Sequence, residues 1–186
     1  MARNVEIKAR LRDLEATRRL AAELADGPPE RLEQRDTFFG VEGGRLKLRE
    51  LAGSRAELIW YRRPDAPGPT ESRYETVVVP DPAALRALLA AALGVRGEVK
   101  KHRLVYRIGR TRVHLDDVQE LGTFLELEVE MAAGEPAERG VAEALRLMNA
   151  LGIGEDALVS EAYVDLLTRR DRPGVGAPAR RASGAA

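Results

Sequence analysis

The sequence predicts an α+β protein: an eight-stranded antiparallel β-barrel or tunnel with a charged interior and helices packed outside. Three observations lead there. Apolar and charged residues alternate at period two in segment after segment, which gives strands one apolar and one charged face. Short turn-forming stretches join most of these segments, so neighbouring strands pair antiparallel. About four helical segments intervene, and if they cover the apolar faces from outside, the charged faces point inward.

The first strand, residues 4–10, places Val5, Ile7 and Ala9 opposite Asn4, Glu6, Lys8 and Arg10. Asp13 can cap a helix running to about residue 25, with Leu14, Leu20, Ala21 and Leu24 as its apolar stripe, and Gly27-Pro28-Pro29 ends it. Residues 33–39 form a second strand and 40–44 a turn. In 45–50, Leu46 and Leu48 oppose Arg45, Lys47 and Arg49. Ala52-Gly53-Ser54-Arg55 reads as a hairpin connection to a strand at 56–62, in which Leu58, Trp60 and Arg62 share a face. The proline-rich stretch 64–69 is a loop, and 73–79 is another strand.

Asp81-Pro82 combines an N-cap residue with proline at the first helical position, predicting a helix to about Leu93 that Gly94 closes. A strand follows at 99–108, with Lys101, Arg103, Val105 and Arg107 on one side. The turn Gly109-Arg110 leads into 112–116, where Arg112, His114 and Asp116 share a face. The eighth strand, 124–130, reads Phe-Leu-Glu-Leu-Glu-Val-Glu and puts Glu126, Glu128 and Glu130 side by side. Adjacent carboxylates on one face repel, and a cation there removes the penalty. Helices are expected at 137–151 and, singly or as a pair, at 155–167. Residues 1–168 thus form one domain, and 169–186, rich in Arg, Pro, Gly, Ala and Ser, a disordered tail.

Composition narrows the chemistry. The 30 basic and 30 acidic residues cancel, so the total charge provides no generic attraction to duplex nucleic acid or an acidic membrane. With no cysteine, disulfides, thiol catalysis and thiolate metal sites are excluded; with two histidines, so is a multi-histidine zinc site. No stretch has the length and apolarity of a membrane span or a signal peptide, and a cytoplasmic protein is the expectation.

The inward faces collect Lys8, Lys47, Arg49, Arg62, Lys101 and Arg103 as cations and Glu6, Asp116, Glu126 and Glu128 as anions. A solvated outer face accounts for any one such strand. Repetition over at least five strands, with cationic and acidic strands segregated, points instead to an enclosed site. Buried charges need partners. A triphosphate with Mg²⁺ or Mn²⁺ satisfies both sets, because Lys and Arg donate to phosphate oxygens and carboxylates complete the oxygen shell of the ion. Glu75 can join this face. Arg112 reads as a strand-end charge, His114 as a hydrogen-bonding neighbour of Asp116, and Tyr163 as a core aromatic or a lid over one mouth.

Seven segments then resemble the CYTH domain proteins of the triphosphate tunnel metalloenzyme superfamily, closest to the class IV adenylyl cyclase branch. They are Val5-Glu6-Ile7-Lys8-Ala9, residues 45–50, residues 59–64, residues 101–106, residues 114–118, residues 121–128 and residues 162–167. The resemblance implies an eight-stranded antiparallel tunnel, open at both ends, that binds triphosphates with a divalent metal. The family's N-terminal Glu-x-Glu-x-Lys is matched at Glu6 and Lys8, while Asn4 stands in place of the first Glu. It leaves room for a homodimer. The resulting expectation is metal-dependent triphosphate hydrolysis. Cyclisation of ATP to cyclic AMP and pyrophosphate, or triphosphate binding without catalysis, are the alternatives.

Overall fold

A computed structural model of the chain describes residues 1–53 and 55–170. Its strands are β1 (Ala2–Arg10), β2 (Glu30–Phe39), β3 (Arg45–Leu51), β4 (Arg55–Arg62), β5 (Thr70–Val78), β6 (Val95–Ile108), β7 (Thr111–Val118) and β8 (Gly122–Glu130). The helices are α1 (Leu14–Leu24), α2 (Pro82–Leu93), α3 (Ala137–Ala150) and α4 (Tyr163–Arg170). The strands close into a barrel in the order β1-β5-β4-β3-β2-β6-β7-β8, with β8 returning to β1 and every pair antiparallel. The expected architecture is therefore the observed one.

The largest shifts of boundary are at three strand starts. β2 begins at Glu30, β5 at Thr70 and β6 at Val95, each earlier than alternation alone indicates. β6 starts directly after the Gly94 cap of α2, whose φ of 72° lets the chain turn from helix into strand. The final helical region splits into a single 3-10 turn at Glu155–Ala157 and α4. Arg169 and Arg170 belong to α4, so the helix extends past the expected domain boundary; residues 171–186 of the expected tail, and Ser54 of the expected hairpin, lie outside the described residues.

The apolar core lies outside the barrel wall. Val5, Ile7 and Ala9 of β1 and Leu125, Leu127 and Val129 of β8 pack with Ala144, Leu147, Met148 and Leu151 from α3 and the residue after it. Gly140 permits this close approach, since a Cβ there would sit 2.7 Å from Val5 Cγ2. A second cluster joins Leu48, Ala56 and Phe39 to Leu85 and Leu89 of α2. Because the helices take the apolar faces, the polar residues of each strand are left facing the lumen.

One end of the barrel is stoppered. Phe38, Val99 and Phe124 ring that end on the inner face, and Ala162, Tyr163, Val164 and Leu166 pack onto them. The Tyr163 and Phe124 rings meet edge to face with centroids 4.9 Å apart. Asp165 is held by Arg45 at 2.9 Å and by Arg96. The tunnel implied to be open at both ends is thus closed at one by α4, and Tyr163, weighed as a core aromatic or a lid over one mouth, packs in the apolar cluster at this end.

Candidate active site

The lumen is a cavity of about 840 Å³ lined by residues from all eight strands and by Ala162 and Tyr163. Of the ten charges expected inside, eight line it directly: Glu6, Lys8, Lys47, Arg49, Lys101, Arg103, Glu126 and Glu128. Asp116 lies beneath the surface, fully buried. Arg112, His114 and Tyr163 also line the lumen.

Two placements depart from expectation. Arg62 is exposed outside the wall, where its guanidinium bonds the Gly43 carbonyl and lies 5.3 Å from the Trp60 ring. Side chains alternate across a strand, so the residues of β4 that face inward are Glu57, Ile59 and Tyr61, followed by Arg63 just beyond the strand end. Arg63 takes the place expected for Arg62; it is 7% exposed and its Nη1 lies 3.4 Å from Glu6 Oε2. Glu75 is likewise exposed and outward, because Ser72, Tyr74 and Thr76 supply the inner face of β5.

Two buried aspartates anchor the cations. Asp36 on β2 accepts from Lys47 Nζ at 2.9 Å and from Arg49 Nε at 3.1 Å. Burial alone would raise Asp36, yet Arg49 and Lys47 hold it well below the usual carboxylate range. Asp116 on β7 accepts from Arg103 Nε and Nη2 at 2.6 Å each, from Lys101 Nζ at 2.8 Å and from Tyr163 Oη at 3.1 Å. Burial opposes its charge as well, and Arg103 and Lys101 bring it to about 2. With its oxygens so engaged, Asp116 orients cations; it does not face the lumen as an open metal ligand.

Sequence reasoning missed Asp36 and Arg63. Asp36 sits in the Gln34-Asp36-Phe38 face of β2, and the observed register pairs it with Arg49. That cross-strand pairing was the signal available for it.

The acidic residues gather on β1 and β8. Glu6 faces Glu128 and Lys8 faces Glu126 across this strand pair. Burial, then the Glu128 charge, raises Glu6. Burial opposes the charge of Glu126, but Lys101, Lys8 and Arg103 hold it far below its ordinary value. Burial and the neighbouring Arg103 depress the His114 imidazole, which favours its neutral form. One ligand atom each from His114, Glu126 and Glu128 lies within 4.8 Å of the others, a spacing that can hold one divalent ion. The donor set fits: two carboxylates supply charge, and the buried His114 Nδ1 has no hydrogen-bond partner among the described residues.

The lumen is therefore polarised along its length. Lys8, Lys47, Lys101, Arg103 and Arg63 lie toward the stoppered end with Glu6 and Glu126 among them, while Glu30, Leu51, Arg55, Glu57, Thr76 and Arg107 line the other. Such a chamber can receive a polyanion end-on and hold a cation beside it.

Comparison with known proteins bears on the fold and the family. A relative from Methanocaldococcus jannaschii, a candidate adenylate cyclase, is 25% identical over 134 residues, covering 70% of this chain and 75% of its own. A protein of Pyrococcus horikoshii superposes with a TM-score of 0.78 at 22% identity, over 88% of this chain and 98% of that one. A Hippeastrum protein, a candidate adenylyl cyclase described as having a dominant triphosphatase activity, superposes with a TM-score of 0.62 at 18% identity, over 92% and 97%. Among the described residues, no helix is long and apolar enough to cross a membrane. The CYTH domain model matches residues 2–163, and on that match over nearly the whole folded part the chain belongs to the CYTH domain family.

Proposed function

We propose that this chain is a divalent-metal-dependent enzyme that hydrolyses the terminal phosphoryl group of an organic triphosphate bound in the lumen. The observation that carries the reading is the blind, cation-rich end. A polyphosphate chain entering from the other mouth meets Lys8, Lys47, Arg49, Arg63, Lys101 and Arg103 with its terminal phosphate foremost, and its organic group stays near the mouth. Asp36 holds Lys47 and Arg49, and Asp116 holds Lys101 and Arg103, in place before substrate arrives, so little reorganisation is needed as charge develops. Positioning and charge neutralisation make up most of what phosphoryl transfer demands.

Glu126 and Glu128 would hold the Mg²⁺ or Mn²⁺ ion, with Glu6 beside Glu128 able to share the load. When bound, the ion supplies Lewis-acid stabilisation at the phosphoryl oxygens. Lys8 and Arg103 contact Glu126 at 3.4 and 2.5 Å, which keeps that carboxylate oriented.

Cyclisation of ATP is the second reading, favoured by the name of the M. jannaschii relative. The same residues would serve, with ATP placed so that its 3′-hydroxyl attacks the α-phosphorus. Product analysis decides: ATP, GTP, thiamine triphosphate and inorganic triphosphate are each incubated with Mg²⁺ or Mn²⁺. Release of orthophosphate and the diphosphate is the expected result. Cyclic AMP with pyrophosphate would replace this reading by the second, and tight binding without turnover of any substrate would leave a binding protein.

A further inference from the structure

His114 was expected to serve Asp116, two residues along the same face of β7. It does not. Asp116 is saturated by Arg103, Lys101 and Tyr163, and the His114 ring turns toward β8 instead. Its Nδ1 lies 3.7 Å from Glu128 Oε1 and 3.9 Å from Glu126 Oε2. These gaps are too long for hydrogen bonds. Yet the residue is only 4% exposed, and its Nδ1 is among the few buried side-chain atoms without a partner among the described residues. An unpaired ring nitrogen so far inside a protein is destabilising unless something fills the gap.

Three donors about 2.0–2.2 Å from one ion, at right angles, stand roughly 3 Å apart, and wider angles open them toward 4 Å. The two distances from His114 Nδ1, 3.7 and 3.9 Å, fall in the upper part of that range, and the three donor atoms lie within 4.8 Å of one another. The other oxygens of the two glutamates are already committed. Glu128 Oε2 accepts from Arg112 at 2.8 Å and Glu126 Oε1 faces Lys8 at 3.4 Å; Glu126 Oε2, the oxygen nearer the ring, accepts from Arg103 at 2.5 Å and would offer the ion its second lone pair. Glu128 Oε1 is left pointing at the ring.

We propose that His114 is a direct metal ligand, so that the ion in this lumen is bound by one imidazole nitrogen and two carboxylates. This rests on the reading of Glu126 and Glu128 as metal-holding residues given above. It has a consequence for which metal is preferred. Imidazole suits transition ions, whereas Mg²⁺ favours a shell of oxygens alone. A mixed nitrogen and oxygen set selects Mn²⁺, or another first-row transition ion, over Mg²⁺. Such selection also suits a site in which Asn4 stands where the family motif has a further Glu: a neutral nitrogen donor on β7 adds a ligand without adding charge.

The test loads the full chain with Mn²⁺ in the absence of any nucleotide and records its pulsed electron paramagnetic resonance spectrum. The expected result is a nitrogen hyperfine coupling in the unaltered protein that disappears in His114→Gln and persists in His102→Gln, since His102 is exposed on the outer face of the wall. By calorimetry, His114→Gln should weaken Mn²⁺ binding at least about tenfold and leave Mg²⁺ binding within about threefold. Mn²⁺ bound without nitrogen coupling in the unaltered protein would overturn the proposal, whatever the variant does. Nitrogen coupling without triphosphate turnover would sink the hydrolase reading alone, and turnover without nitrogen coupling would sink this one alone.

Discussion

Arg103 grips Asp116 through two parallel hydrogen bonds of 2.6 Å, at a point where the aspartate has no solvent exposure. The same guanidinium reaches Glu126 at 2.5 Å. One arginine thus ties the buried Asp116 of β7 to Glu126 of β8. Removing Asp116 would leave Arg103 and Lys101 buried without their shared counter-ion, a loss of about 3–5 kcal/mol. Asp116→Ala should lower the urea midpoint accordingly. If the midpoint hardly moves, the clamp is not what holds these cations.

Arg62 and Arg63 are neighbours in sequence on opposite sides of the wall. Arg63 bonds the Ser160 carbonyl at 2.7 Å and faces Glu6, while Arg62 lies outside. Arg63→Ala should weaken triphosphate binding by at least about tenfold, one charge-assisted contact. Arg62→Ala should leave it within about twofold, as for an exposed cation. Equal effects in a titration of both variants would contradict the assigned strand parity.

That pair also shows what could be read from sequence alone. On β1 and β8 one face is mostly apolar and the other largely charged, so alternation assigned Glu6, Lys8, Glu126 and Glu128 to the lumen. β4 has large apolar residues on both faces, Leu58 and Trp60 outward and Ile59 and Tyr61 inward, because each side packs against something. The period-two signal vanishes there, and the choice between two arginines became arbitrary. Asp36 was overlooked because the charges that alternate on β2, Arg31, Glu33 and Arg35, lie on the opposite face, and its own face continues into Phe38. The stopper was illegible for a different reason. It depends on Tyr163 meeting Asp116, 47 residues away, and on a Gly97 whose missing side chain admits Val164.

Lys47 gives the lumen a pH dependence. It is faced by Asp36 on β2, Arg49 on its own strand, Lys101 on β6 and the rings of Phe38 and Tyr61. Burial, then Arg49, lowers its pKa to about 8. Between there and the ordinary lysine value of roughly 10.4, the unfolded chain binds the extra proton, so this group makes the free protein more stable as pH rises through that window. Triphosphate binding has the opposite sign, since it needs the ammonium. Affinity should fall as pH rises above about 8. Lys47→Arg, charged throughout, should flatten the profile. An unchanged slope in that variant would show that another group titrates.

Glu126 should be indispensable to turnover and dispensable to folding. It is only partly buried, and Arg103 keeps Asp116 when Glu126 is lost. Glu126→Gln preserves shape and removes one of the two charges available to the ion. Loss of metal-dependent turnover by about a hundredfold or more, with an unchanged circular dichroism spectrum, is expected. Near-normal turnover would move the metal elsewhere.

Tyr163 combines two roles that substitutions can separate. Its hydroxyl donates to Asp116 at 3.1 Å, and its ring lies 4.1 Å from Lys8 Nζ and 5.0 Å from Lys101 Nζ. Tyr163→Phe removes the hydrogen bond and keeps the ring, costing about 1 kcal/mol because Asp116 retains Arg103 and Lys101. Tyr163→Ala also removes the ring that fills the end of the barrel against Phe124, and should cost about 3–5 kcal/mol. If the ring is what closes this end, the alanine variant should also admit solvent to Lys8 and Lys101, which the phenylalanine variant should not. The two lysines then become measurable by amine-reactive labelling: slow in the unaltered protein and in Tyr163→Phe, fast in Tyr163→Ala. Fast labelling in all three would mean that α4 leaves the mouth readily in solution and that the blind end, on which the orientation of the triphosphate depends, does not persist.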